Sequence, residues 1–129
     1  TCAIRMIPGS EKSHRLEYRI AAADGNPYLT LAASIACGLY GIENKLELPP
    51  IVQGNAYDLD TSLTNLLLPN TLEKSTAAFK NSLVTGDLFG KAWVDHFSIS
   101  RQWETKCYNE QKKDDPDWHW MLDRYFEII

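Results

Sequence analysis

A row of charged side chains that alternates with apolar ones constrains the first part of this chain most strongly. In an extended segment, successive side chains point to opposite faces of the strand, so Arg15, Glu17 and Arg19 share one face. A carboxylate can hold a divalent cation, and a guanidinium matches the oxygens of carboxylates and phosphates with paired hydrogen bonds. A solvated strand with cross-strand ion pairs would show the same pattern. The row alone therefore leaves an anion- and metal-binding strand and a solvated strand both open.

The residues on either side of the first turn predict a pair of strands. Residues 2–7 and 15–20 either alternate between apolar and polar side chains or carry β-branched and aromatic ones, as strands do. The Pro-Gly-Ser sequence at 8–10 is typical of a turn. We therefore expect two strands joined by a polar loop.

An Asn-Pro pair then marks the start of a helix. Asn26 is a favourable N-cap, and Pro27 suits the first helical position because its missing N–H would have no partner there. The following run is rich in Ala and Leu, which predicts a buried helix from Tyr28 to about Gly41 or Asn44.

The remainder of the chain is predicted to be mainly helical, and the aromatic residues of its longest helix are expected to pack rather than to bind a cofactor. Helical spacing of apolar residues and capping signals support this interpretation. The predicted elements are a loop from Lys45 to Thr61, a helix from Leu72 to Ser82 capped by Thr71, a longer amphipathic helix after Gly86 reaching toward Tyr108, a charged linker at Gln111–Pro116 and a final helix from Trp118 to Phe126.

Composition limits the classes of function. The chain has 129 residues, 44% hydrophobic and 23% charged, which is a normal balance for one globular domain. A net charge of −4 argues against nucleic acid or an anionic membrane surface as the main partner. No apolar run approaches the roughly 20 residues that cross a bilayer. We therefore expect a soluble protein that binds neither nucleic acid nor membrane.

The cysteines indicate a reducing compartment. Cys2, Cys37 and Cys107 are odd in number and widely spaced, without a CxxC or Cys-His cluster. Because Cys37 falls in the apolar helical run, we expect it to be a small buried thiol. The cytoplasm is the expected location, and the scattered histidines predict no zinc site.

Seven segments at characteristic spacings carry a family resemblance. The chain resembles the C-terminal part of the catalytic domain of glutamine synthetase and its γ-glutamyl-amine ligase relatives, nearly from end to end. The matching segments are Ile4-Arg5 with Pro8, Arg15–Arg19, Ala23–Leu29, Gly38–Lys45, Gly54–Leu59, Leu68–Leu72 and Asp123–Glu127.

The resemblance implies an α+β fold, mostly helical here, in which residues 1–129 are a C-terminal fragment of the catalytic domain and the two strands belong to its active-site sheet. It also implies an ATP-dependent ligase. Glutamate is phosphorylated on its side-chain carboxylate, and ammonia or another amine then attacks the γ-glutamyl phosphate. ATP is the co-substrate, and Mg²⁺ or Mn²⁺ is the implied cofactor, in keeping with a carboxylate ligand.

The resemblance carries five site residues over to this chain. Glu17 falls where the family has a metal ligand, and Arg19 falls where it has the arginine that holds substrate glutamate. Arg5, Lys12 and Arg15 fall where the family places cations on the ATP phosphates, although Lys12 by itself could be a solvated lysine. No catalytic acid, base or nucleophile is assigned within these residues.

Several further expectations concern the protein beyond these residues. The chain opens without Met, so we expect it to continue upstream, where the resemblance places the ammonia pocket, the adenine site and most metal ligands. These 129 residues alone are therefore expected to be inactive. The intact protein is expected to be a ring-shaped homo-oligomer with active sites between neighbouring subunits.

Two alternatives to glutamine synthetase remain open. One is a γ-glutamyl ligase for a polyamine or another amine, because the amine-binding residues lie upstream. The other is a catalytically silent family member that serves as a structural or interaction protein. The presence of Glu17 and Arg19 argues against this second alternative. Tyr57 lies where some bacterial members carry a nucleotidylated tyrosine, but a tyrosine without regulatory use is the simpler interpretation.

Overall fold

The computed structural model describes residues 2–60, 67–111 and 119–126 of the chain. These residues form a pair of antiparallel strands and five α-helices, so the expected α+β, mostly helical fold is confirmed. The chain divides into two compact units, residues 1–65 and 66–129.

The strand pair opens the first unit. Strand β1 spans Ile4–Ile7 and strand β2 spans Arg15–Tyr18, close to the predicted bounds. Their antiparallel register places Arg5 opposite Glu17. A short turn joins them, in which the Ser10 carbonyl accepts the backbone N–H groups of residues 13 and 14 at 2.8 and 3.0 Å. The predicted hairpin is confirmed.

Helix α1 spans Pro27–Glu43 and begins as the Asn-Pro pair predicts. The Asn26 side-chain oxygen accepts the backbone N–H groups of Tyr28 and Leu29 at 3.0 and 3.2 Å, which satisfies two of the donors that a helix start leaves unpaired. At the other end, Asn44 caps the helix through its backbone N–H and its side-chain amide, both of which bond to the Tyr40 carbonyl.

The predicted burial of α1 is wrong. No residue of the helix is buried, and Cys37, expected to be a buried thiol, is exposed. Leu31 and Ile35 are each 62% exposed, and Ile42 is 76% exposed. Apolar periodicity predicts that a helix has a face suited to burial, but it does not say which part of a protein covers that face. In the described residues the large apolar side chains of this helix remain exposed.

The segment after α1 is a loop, as predicted, over residues 45–60, whereas Thr61 lies outside the described residues. It contains one 3₁₀ turn at Ala56–Asp58, begun by the Asn55 side chain, which accepts the Tyr57 backbone N–H at 3.3 Å. The Tyr57 side chain is 84% exposed.

The second unit is helical. Helix α2, predicted at Leu72–Ser82, is confirmed with Thr71 as its N-cap, whose hydroxyl accepts the Lys74 backbone N–H at 3.2 Å. The final helix is confirmed at its described residues, while Trp118 and the linker at 112–116 lie outside them. The helices are α2 at Leu72–Asn81, α3 at Leu83–Phe89, α4 at Lys91–Gln111 and α5 at His119–Tyr125.

The longer helix predicted after Gly86 is in fact the end of one helix followed by another. Gly86 lies inside α3, and the chain breaks instead at Gly90, whose φ of +79° is a conformation that glycine adopts without steric cost. Helix α4 starts at the next residue and extends beyond Tyr108, as expected. Sequence pattern alone did not distinguish a helical glycine from a terminating one.

An aromatic cluster joins α2, α3 and α4. Phe79 lies with its ring centroid 5.6 Å from Phe97 and 6.0 Å from Trp93, in edge-to-face contacts. Trp93 stacks on Phe97 at 5.0 Å, and Phe89 completes the cluster. Such pairs add to the stabilisation from burial. The expectation that the aromatic residues of the long helix pack is confirmed for Trp93 and Phe97, whereas Trp103 is 54% exposed.

An ion pair between α4 and α5 holds the last helix. Arg124 donates from Nε and Nη2 to the two oxygens of Glu104 at 2.7 and 3.1 Å, and the Tyr125 hydroxyl donates to the same carboxylate. The Glu104 side chain is only 6% exposed. The Arg124 hydrogen bonds are the main cause that lowers the pKa of Glu104. Burial, followed by the adjacent carboxylate, raises the pKa of Tyr125 to about 12.

We expect Phe79→Ala to loosen the second unit. The substitution removes a ring with three aromatic partners, and because this ring is half-buried the cost should fall below the about 3–5 kcal/mol of a fully buried ring. Hydrogen exchange of residues 72–111 should therefore become faster in the complete protein. Ile99→Ala is the matched control, because Ile99 is 61% exposed; equal exchange in the two variants would contradict the assigned core.

We expect Arg124→Gln to weaken the contact between α4 and α5 at neutral pH. Because the folded-state pKa of Glu104 is below its ordinary value of 4.5, the ion pair stabilises the contact above that value and loses this effect as the pH falls below it. Arg124→Gln leaves the buried Glu104 carboxylate without its guanidinium partner, so the contact is weakened over the pH range in which Glu104 is ionised. Faster hydrogen exchange in residues 119–126 between pH 7 and 5, compared with Asp123→Asn at each pH, would confirm this; identical rates would contradict it.

Candidate functional site

Three charged side chains meet on the hairpin and are called here the ion cluster: Arg5, Glu17 and Arg19. The strand register brings Arg5 beside Glu17, and the period of two along β2 brings Arg19 to the same face. Arg19 Nε donates to Glu17 Oε1 at 3.0 Å and Nη2 donates to Oε2 at 3.3 Å. Arg5 Nη1 lies 3.5 Å from Oε2. Both carboxylate oxygens therefore accept from guanidinium groups.

Electrostatics keep this carboxylate charged. The Arg19 hydrogen bonds are the main cause that lowers the pKa of Glu17; desolvation opposes them, and the charges of Arg19 and Arg5 add to the lowering. The side chains of Arg5, Glu17 and Arg19 are 59%, 41% and 34% exposed. Exposed pairs of this kind contribute little to stability, so the cluster is not what holds the hairpin together.

The two other predicted phosphate-binding cations lie on the same hairpin but outside the ion cluster. Arg15 stands at the start of β2 and donates from Nη1 to the Ser13 carbonyl at 3.1 Å. Lys12 lies exposed in the turn between the strands. The structure thus brings Arg5, Glu17 and Arg19 into contact and places Arg15 and Lys12 beside them along the hairpin.

The contact between Arg5 and Glu17 was not predicted from the sequence. The sequence row identified only the neighbours on β2, whereas Arg5 belongs to the other strand. The signal for it was the length of the loop between the strands, because loop length and turn geometry set the register of a hairpin.

The ion cluster fits a divalent metal in the kind of ligand it offers. Mg²⁺ and Mn²⁺ prefer carboxylate oxygens, and Glu17 supplies two of them. A complete site needs about six ligands. Within residues 2–60, 67–111 and 119–126, no group of three or more His, Cys, Asp or Glu side chains could hold a metal ion. Glu17 would thus be one ligand of a site completed by other groups.

No helix in the described part of the chain is long and apolar enough to cross a membrane.

Comparison with known proteins establishes the family. Residues 1–121 match the model of the glutamine synthetase catalytic domain, so the chain belongs to this family, as the sequence motifs indicated. No solved structure matches the chain.

The names of similar proteins in the family describe several different activities. Type-1 glutamine synthetase 2 of Dictyostelium discoideum is 43% identical over the whole chain, which corresponds to 24% of that protein. Glutamate–isopropylamine ligase of a Pseudomonas species is 37% identical over the whole chain and 27% of its own length. γ-Glutamylethanolamide synthetase GlnA4 of Streptomyces coelicolor is 36% identical over 98% of the chain and 25% of its own length. The chain therefore spans about a quarter of these relatives.

We expect Arg19→Gln to raise the pKa of Glu17. The variant removes the hydrogen bonds that are the main cause of the lowered value, so the carboxyl should protonate nearer to its ordinary value of 4.5. Carbodiimide modification of Glu17 across pH, quantified by mass spectrometry, follows this because the reagent reacts with the protonated carboxyl. Arg15→Gln is the control, since Arg15 bonds to Ser13 instead; the same profile in both variants would contradict the assigned contact.

Proposed function

We propose that the complete protein is an ATP-dependent ligase that joins glutamate to ammonia and forms glutamine through a γ-glutamyl phosphate. The observation that carries this proposal is the ion cluster on the hairpin, in a chain that belongs to the glutamine synthetase catalytic-domain family. It is supported by the requirements of phosphoryl transfer, in which placement and neutralisation of charge are the main contributions of the protein.

The reaction has two steps. The side-chain carboxylate of glutamate attacks the γ-phosphorus of ATP, so a C–O–P bond forms and ADP leaves. Ammonia then attacks the carbonyl carbon of the acyl phosphate, phosphate leaves with the electrons of the C–O bond, and the nitrogen gives up a proton. Both steps bring several anionic groups together, which requires cations at fixed positions.

We assign the phosphates of ATP to Arg5, Lys12 and Arg15. They lie along one hairpin, so a polyphosphate chain could follow its surface. The Arg15 guanidinium is oriented by the Ser13 carbonyl, which leaves its other N–H groups for a phosphate oxygen. Arg19 is assigned to substrate glutamate, because a guanidinium binds a carboxylate through two parallel hydrogen bonds.

Glu17 is assigned to Mg²⁺ or Mn²⁺. When bound, the metal would supply neutralisation of the phosphate charge. Its other ligands would come from groups outside the described residues, consistent with relatives about four times as long as this chain. These 129 residues alone would then lack a working centre. We further propose that the complete protein is a ring-shaped homo-oligomer in the cytoplasm. The exposed apolar face of α1 would be covered by further structure in that protein.

A second candidate is ligation of glutamate to another amine. It is favoured by the relatives whose names state isopropylamine, ethanolamide and putrescine products or substrates. The ion cluster serves the activation of glutamate and is therefore compatible with any acceptor. A catalytically silent structural protein is less well supported, because Glu17 and Arg19 are retained in contact.

We expect Glu17→Gln to reduce metal-dependent phosphate release at least 100-fold in the complete protein, because loss of a ligand or of its supporting contacts weakens metal binding and activity by 10- to 100-fold or more. The assay contains ATP, Mg²⁺, glutamate and either ammonia or one amine from a panel of isopropylamine, ethanolamine and putrescine. The acceptor with the highest kcat/KM separates glutamine synthetase from the amine ligases.

Glu11→Gln is the matched control for that assay, because Glu11 is an exposed acid in the hairpin turn. It should retain activity. Full activity of Glu17→Gln would refute the role of Glu17, and no turnover by the unsubstituted protein with any acceptor would refute the proposed reaction.

A further inference from the structure

We propose that the groove between α2 and α4 is a binding site for a primary aliphatic amine in its ammonium form. This groove has a volume of about 570 Å³ and is lined by residues of those two helices alone. It lies within the second unit, whereas every residue assigned to the reaction lies in the first. The inference therefore goes beyond the proposed function and does not depend on it.

The groove contains a carboxylate without a partner. Glu73, in the first turn of α2, lines the groove, and in the part of the chain that the structure describes no ion pair or hydrogen bond engages its side chain. The other acid of the lining, Glu110, already has a cation, because Lys106 Nζ lies 3.8 Å from its Oε1. The C-terminal end of α4 adds partial negative charge beside Glu110. The groove is thus complementary to one positive charge.

The polar groups of the groove suit the N–H donors of an ammonium, which has three donors and no acceptor. Thr105 donates its hydroxyl hydrogen to the Arg101 carbonyl at 3.1 Å, so its oxygen is left to accept. Gln102 and Asn109 each add an amide oxygen to the lining. Together with the Glu73 carboxylate, these oxygens are enough to accept from all three N–H groups of one ammonium.

The apolar part of the lining favours an alkyl chain attached to that ammonium. Ala77 and the methyl groups of Thr76 and Thr105 face the groove, and the methylene stem of Lys106 extends this apolar surface. A bare metal ion fits less well, since the described residues contain no group of three or more His, Cys, Asp or Glu side chains that could hold one. A short alkylammonium ion matches both the charge and the apolar surface.

Hydrogen exchange of the complete protein with n-butylamine tests the proposal, because it locates the bound amine as well as detecting it. Residues 72–77 and 102–110 should exchange more slowly when n-butylamine is added. We expect a dissociation constant on the order of 1 mM, since a ligand of so few atoms in an open groove gains little free energy.

Three variants test the assigned contacts. Glu73→Gln should weaken the binding of n-butylamine about tenfold, the effect of losing a hydrogen bond to a charged group. Asp87→Asn is the matched control, because it removes the same charge from an exposed acid of α3 outside the groove and should keep the affinity. Ala77→Leu fills the groove at an exposed helix position that leucine tolerates, so it should also abolish the protection while α2 stays folded.

A second probe separates hydrogen bonding from simple attraction between charges. n-Butyltrimethylammonium carries the same charge and chain but has no N–H donor, so it should bind about tenfold more weakly than n-butylamine.

Four results would each overturn the proposal. They are the absence of protection in both segments at ten times the expected dissociation constant, equal affinities of Glu73→Gln and Asp87→Asn, full protection in Ala77→Leu, and equal binding of the two ammonium ions. Protection confined to the two groove segments and lost in Glu73→Gln and Ala77→Leu would confirm it.

Discussion

The antiparallel register that sets Arg5 opposite Glu17 is the constraint on which the candidate site depends. A shift of one residue would turn every side chain of a strand to the other face and separate these two groups. Arg19, which directly follows β2, lies beside the carboxylate two positions after Glu17. A strand pair of eight residues thus gathers charges that are twelve positions apart in the chain.

The two units of the chain are stabilised in different ways. The second unit has its own core, built around Phe79 and the aromatic residues of α3 and α4, and an ion pair fastens α5 to it. The first unit carries the candidate site but leaves the apolar side chains of α1 exposed. The unit that carries the candidate site is thus the one without an aromatic core of the kind that α2, α3 and α4 form.

The features that were predicted correctly depend on residues close to one another in the sequence. The Asn26 cap, the Thr71 cap and the hairpin all rest on hydrogen bonds within a few residues, so the residue types at those positions were sufficient. The errors concern relations that local pattern does not contain. Burial of Cys37 requires a covering surface elsewhere, and the sequence pattern does not say that Gly90, and not Gly86, takes the positive φ that ends α3.

The sequence by itself determined the family, the order of strands and helices, and the alignment of Arg15, Glu17 and Arg19 on one face, because spacing and capping act over short distances. Only the tertiary structure decided that Arg5 joins this row and that both oxygens of Glu17 are held by guanidiniums. The physical reason is that pairing between strands brings together residues that are distant in sequence. The distances between the charged atoms of Arg5, Arg19 and Glu17 then set how strongly each guanidinium interacts with the carboxylate.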